Sequence, residues 1–164
     1  QSTEKRTTTH YANETSMGGN VVAKVVMSDA GVFMNKQPLP AAMASEMSSI
    51  LGTFLEMGLL NNEKSVLTGI EPIDGKDAYV ISTKGEVVST AIYFDVATGL
   101  KVKEAQTVSM GGQSQSQEAT FSDYKDFNGV KFPAVKSGSL GPQKVEFKLI
   151  DAKVNEGVTD ADFQ

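Results

Sequence analysis

A chain of 164 residues, 40% apolar and 21% charged, has the length of one domain and enough apolar material to bury a core of its own. It contains no Cys, which excludes disulfides, thiolate chemistry, Cys-ligated zinc and iron–sulfur clusters. A net charge of −5 argues against a nucleic-acid groove, and a single His, His10, leaves no site that needs two imidazoles.

No run approaches the ~18 apolar residues of a membrane span, so the chain is not expected to be membrane-spanning. The longest candidate, Met43 to Leu60, is broken by Ser45, Glu46, Ser48, Ser49, Gly52, Thr53 and Glu56. Gln1 to Arg6 lacks the apolar region of a signal peptide, so a mature exported protein and a domain of a longer chain would both begin this way.

Most segments alternate with period 2 between Gly, Asn and Asp turns, the pattern of an antiparallel meander. Arg6 to Tyr11 reads as a weak first strand. Gly19 to Met27 sets Val21, Ala23, Val25 and Met27 on one face, and Val32 to Lys36 pairs back across the turn at Ser28 to Gly31.

The convincing helix begins near Pro40, which a first helical turn tolerates. Leu39, Met43, Met47, Ile50, Phe54 and Met57 recur at spacings of three and four, widened by Leu51 and Leu55. Gly58 and Asn61-Asn62 end it.

Strands then resume at Ser65 to Ile70, followed by the hairpin dipeptide Asp74-Gly75. Lys76 to Thr83 and Val87 to Phe94 are apolar on both faces and should be central. Leu100 to Ser109, Gln117 to Tyr124 and Val130 to Lys136 follow, the last two flanking Asn128-Gly129. Gln143 to Ile150 points Val145, Phe147 and Leu149 inward, and the tail should dock Phe163. The expected architecture is mainly β within α+β, a single domain over residues 1–164. One curled antiparallel sheet would form an incomplete barrel wrapped over one main helix, because a long sheet must hide a face and the helix is its one candidate cover.

Chemistry is sparse. His10 lies in a polar stretch with no visible partner and reads as a surface histidine. Glu14, Glu71, Asp74, Asp77, Asp95, Asp160 and Asp162 show no EF-hand spacing; Asp74 and Asp95 sit where turns want Asp, and Asp160 and Asp162 read as a solvated tail. Gly18-Gly19 and Gly111-Gly112 lack a phosphate-loop frame and read as hairpin tips, and no nucleophile elbow or zinc motif occurs. No catalytic residue, metal or cofactor is expected. The Met-bearing stripe is either core or the lining of an adaptable apolar cavity. On the second reading the ligand contacts are Met43, Met47, Ile50 and Phe54 from the helix, with Tyr79, Ile81, Ile92 and Tyr93 from the strands.

Four stretches carry a resemblance: Asp74 to Ile81, Tyr93 to Leu100, Tyr124 to Pro133, and Val154 to Phe163. Their order and spacing resemble the LolA-like, outer-membrane lipoprotein-sorting superfamily. More narrowly, they resemble the C-terminal accessory domain that follows insulinase-like (pitrilysin-type) zinc peptidases in Bacteroidetes-type envelopes. The resemblance runs from about Thr7 to Phe163. It implies an incomplete barrel over helices, a periplasmic or cell-envelope location, and an apolar ligand such as an acyl chain or a peptide. It also implies a covalently linked peptidase domain, whose zinc and catalytic residues would lie outside this chain.

Overall fold

The computed structural model describes residues 1–48, 55–60, 62–140 and 143–164. Strands dominate it and fall into two compact units, one of Gln1–Asn62 with Asn155–Gln164 and one of Glu63–Val154.

The first unit holds β1 (Ser2–Arg6), β2 (Tyr11–Met17), β3 (Asn20–Ser28), β4 (Gly31–Met34) and β5 (Gln37–Pro38), paired antiparallel in chain order. The expected first strand, Arg6 to Tyr11, is instead the bend between β1 and β2. Thr7 makes that bend. Its Oγ1 accepts the backbone N–H groups of Thr9 and His10 at 3.3 and 2.9 Å, and its own N–H donates to the His10 carbonyl at 2.9 Å. A hydroxyl that captures backbone donors overrides the strand propensity of a threonine run.

Both faces of this sheet are covered. Tyr11, Met27 and Val32 cluster on one face with Leu39 and Ala44 packed against them. Ala12 and Val26, one residue along from Tyr11 and Met27, point the other way and pack with Phe163. Phe163 is carried by a C-terminal 3-10 turn, Asp160–Phe163, so the expected docking of the tail is observed.

The helical stretch appears as α1 (Ala41–Ser48) and α2 (Leu55–Leu60). Ile50 and Phe54, both expected on the apolar stripe, lie outside the described residues. The Pro40 carbonyl accepts the Ala44 N–H at 2.9 Å and opens α1. In α2, Leu59 is buried, while Met57, roughly 200° around the helix from it, is exposed and does not continue the stripe.

The second unit is a seven-stranded antiparallel meander. Its strands are β6 (Ser65–Ile73), β7 (Lys76–Lys84), β8 (Val88–Asp95), β9 (Lys101–Met110), β10 (Gln113–Phe127), β11 (Val130–Leu140) and β12 (Gln143–Lys148). Asp74-Gly75 and Asn128-Gly129 turn its hairpins with positive φ at both residues, as those dipeptides predict. β7 and β8 are interior strands, and Ala78, Val80 and Ile92 on them are buried. Phe147, expected inward, is partly exposed because β12 is an edge strand.

The fold class stands: mainly β, antiparallel, with sheets that do not close into a barrel. The strands form two sheets, however, where one was expected. β5 is two residues long and ends in Pro38, which has no N–H for a further partner, and a helical stretch then intervenes before β6.

Candidate functional site on the seven-stranded sheet

Directly opposed residues of an antiparallel ladder share a face, so register assembles the site. One row crosses all seven strands: Leu67, Ile81, Ile92, Glu104, Ala119, Gly138 and Val145. Beside it runs a row of rings and cations. Ile70, Tyr79, Phe94 and Lys101 oppose one another on β6 to β9, and Phe121, Lys136 and Phe147 do so on β10 to β12. The opposite flank is polar, with Ser65, Thr83, Thr90, Gln106 and Gln117 in register.

Two irregularities create these rows. Counting back from the Asp74-Gly75 turn, unbroken pairing would set Leu67 opposite Ser82, on the other face. Pairing slips at Thr68 instead. Gly69 takes φ +155°, the Thr68 hydroxyl donates to the Val80 carbonyl at 3.2 Å, and Leu67 comes opposite Ile81. On β9, Val102 is passed over between the Tyr93–Lys103 and Phe94–Lys101 pairs, which puts Lys101 on the face with Phe94.

Exposure grades along the face. Ile92 is fully buried, whereas Tyr79, Ile70 and Leu67 are 40, 56 and 61% exposed. A buried apolar floor thus continues into a wet apolar edge, the kind of patch that marks an interaction surface.

Charges on the face are mostly paired. Lys101 meets Glu104 at 3.4 Å, and on the opposite face Lys103 meets Glu118 at 3.0 Å. The ammoniums of Lys101 and Lys136 lie 4.3 and 5.5 Å from the centroid of the Phe121 ring. Across β9 to β12 a groove of about 210 Å³ opens, with Ala119, Gly138, Val145, Phe147 and Lys136 among its lining.

No protein-family model matches the chain, and no curated protein matches it in sequence. Among solved structures, a LolA superfamily protein from Nitrosomonas europaea superposes with a TM-score of 0.56. The match covers 96% of this chain and 77% of that one at 14% identity. The fold is LolA-like. At that identity the likeness speaks for the fold and nothing finer.

The expected ligand contacts separate. Tyr79, Ile81 and Ile92 share the face described. Tyr93 does not: flanked by Ile92 and Phe94, it points to the opposite side, opposed to Val80 and Lys103, with the Lys103 ammonium 5.4 Å from its ring centroid. Period 2 forbids Ile92 and Tyr93 in one site. Met43 and Met47 are half-buried on α1, in the other unit. Leu67, Ile70, Phe94, Phe121 and Phe147 were missed. Counting from the Asp74-Gly75 turn would have found Ile70, but no pattern announced the slip that brings in Leu67.

The other polar candidates serve the fold. His10 is half-buried rather than superficial. Its Nδ1 lies 2.9 Å from the Thr9 hydroxyl, its Nε2 3.5 Å from the exposed Asp29 carboxylate, and its ring packs on Phe163 at 5.3 Å between centroids. Asp95 accepts the Thr98 hydroxyl and N–H, both at 2.7 Å, and these bonds hold its carboxyl below the usual carboxylate range. Asp162 is not a solvated tail residue: Lys5 donates to it at 2.5 Å and the Thr159 N–H at 2.8 Å. Among the described residues no group of three or more His, Asp or Glu could hold a metal ion, and no helix is long and apolar enough to cross a membrane.

Proposed function

We propose that this chain is a non-enzymatic binding module of the cell envelope, whose seven-stranded sheet holds an apolar ligand, an acyl chain or an apolar peptide. The observation that carries the reading is the continuity of buried Ile92 with the exposed edge of Leu67, Ile70 and Tyr79 on one face. Ligand sites are mostly apolar with a few placed polar groups, and this face has that composition. The LolA-like fold supports the same reading.

Titration with a fluorescent fatty acid tests it. Saturable binding is expected, weakened several-fold in Leu67→Ser with Ile70→Ser, while the unfolding free energy stays within about 0.5 kcal/mol of the parent, as for exposed positions. A parent chain that binds nothing rejects the reading.

The finer reading, a single domain over residues 1–164 acting as the accessory domain of a zinc peptidase, rests on the motif order Asp74 to Ile81, Tyr93 to Leu100, Tyr124 to Pro133 and Val154 to Phe163. The reading frame upstream of Gln1 tests it: a signal peptide placed there with no peptidase domain rejects it.

A further inference from the structure

We propose that the groove across β9 to β12 is the head-group end of the ligand site, that the ligand is a single-chain carboxylate amphiphile, and that Lys136 is its counter-ion. The proposal rests on reading the sheet face as an apolar-ligand site.

The groove is built by small residues. Gly138 and Ala119 oppose each other and form its floor, beside Val145 and Phe147 on β12. A Cβ at Gly138 would meet the Glu118 carbonyl at 3.0 Å and the Ala119 Cβ at 3.7 Å, so a larger residue would both crowd the ladder and fill the floor. At about 210 Å³ the groove is smaller than the ~300–1,000 Å³ of a complete small-molecule pocket. It therefore suits one end of an extended ligand. Val145 and the 38% exposed Phe147 border it and offer the start of the ligand's chain an apolar contact.

The charge pattern selects the head. One carboxylate on the groove's face, Glu104, has its own lysine, Lys101, while Glu118 turns its side chain to the opposite face, where it pairs with Lys103. Lys136 differs. Among the described residues no carboxylate comes within ion-pair distance of it, and its ammonium rests near the Phe121 ring, which attracts the charge without neutralising it. A carboxylate head there gains a charge-assisted hydrogen bond. One unpaired cation on a face that also carries the Glu104 carboxylate suits a single negative charge and disfavours a doubly charged phosphate.

Calorimetric titration of the full chain with dodecanoate and with dodecan-1-ol, read together with amide shifts at Gly138 and Ala119, tests the assignment. Dodecanoate should bind about 2- to 5-fold more tightly, the range of one exposed ion pair, and the shifts should centre on Gly138 and Ala119. In Lys136→Gln the two affinities should converge, and Lys136→Arg should keep the preference for dodecanoate. Equal affinities in the parent, or an unchanged preference in Lys136→Gln, would overturn the head-group assignment and leave the apolar-ligand reading standing. Shifts confined to other residues overturn the groove. Binding of neither compound overturns both readings.

Discussion

Lys5 and Asp162, 157 positions apart, meet at 2.5 Å and tie the C-terminal turn to β1. The Lys5 bond, followed by the Thr159 N–H, holds the Asp162 carboxyl below its usual range. A depressed carboxyl binds its proton less readily in the folded chain than in the unfolded one. Its contribution is complete above the ordinary value of about 3.9 and is lost as the pH falls through the lower folded value. Asp95, depressed first by the Thr98 hydroxyl, acts in the same direction. The urea midpoint should therefore hold from neutrality down to about pH 5 and fall below about pH 4. Asp162→Asn should lower the neutral midpoint and make the acid fall shallower; an equally steep fall in that variant would remove Asp162 from the account.

Phe163 covers the second face of the five-stranded sheet, packed with Ala12 and Val26. Phe163→Ala should cost about 3 kcal/mol, the lower end for a buried aromatic. The guanidinium unfolding midpoint measures this. A loss under about 1 kcal/mol would show that Phe163 adds little to the core.

Gly69 sits at φ +155°, a conformation that side-chain-bearing residues rarely adopt, and it allows the slip that turns Leu67 onto the apolar face. Gly69→Ala should destabilise by about 1–3 kcal/mol and weaken fatty-acid binding more than Leu67→Ala does, because it disturbs the register of the whole edge. Binding equal to the parent would separate the slip from the site.

The same slips mark where the sequence stops being legible. Asp74-Gly75 and Asn128-Gly129 announced their hairpins because residues that tolerate positive φ are needed there. Alternation placed the interior strands β7 and β8, and the apolar tail residue Phe163 was foreseen as docked. Facing was harder. A skipped Thr68 or Val102 reverses which side the next residues take, and period-2 counting carries no sign of it. Ile92 and Tyr93 were assigned to one site although adjacent strand residues oppose each other. The bend at Thr7 was hidden for a different reason: its side chain, rather than a Gly or Pro, supplies the turn's hydrogen bonds.

Ile92 and Tyr79 were both expected to touch ligand, yet their environments assign them different parts. Ile92 is fully buried, so it forms floor that a bound molecule cannot reach, while Tyr79 is 40% exposed. Ile92→Ala should cost about 3 kcal/mol through the cavity it leaves, a large share of the 5–15 kcal/mol that holds a domain together. Tyr79→Ala should change the unfolding midpoint less, since Tyr79 is already 40% exposed and leaves a smaller cavity. Its effect should fall on affinity, where losing the ring's contact with an acyl chain removes buried apolar area at about 25 cal/mol per Å². Urea unfolding and fatty-acid titration of the two variants give four numbers. Large stability loss in Ile92→Ala with a smaller loss and weakened binding in Tyr79→Ala is the expected pattern. Parental affinity in Tyr79→Ala would move the contact surface away from β7, toward the Phe121 and Phe147 end of the same face.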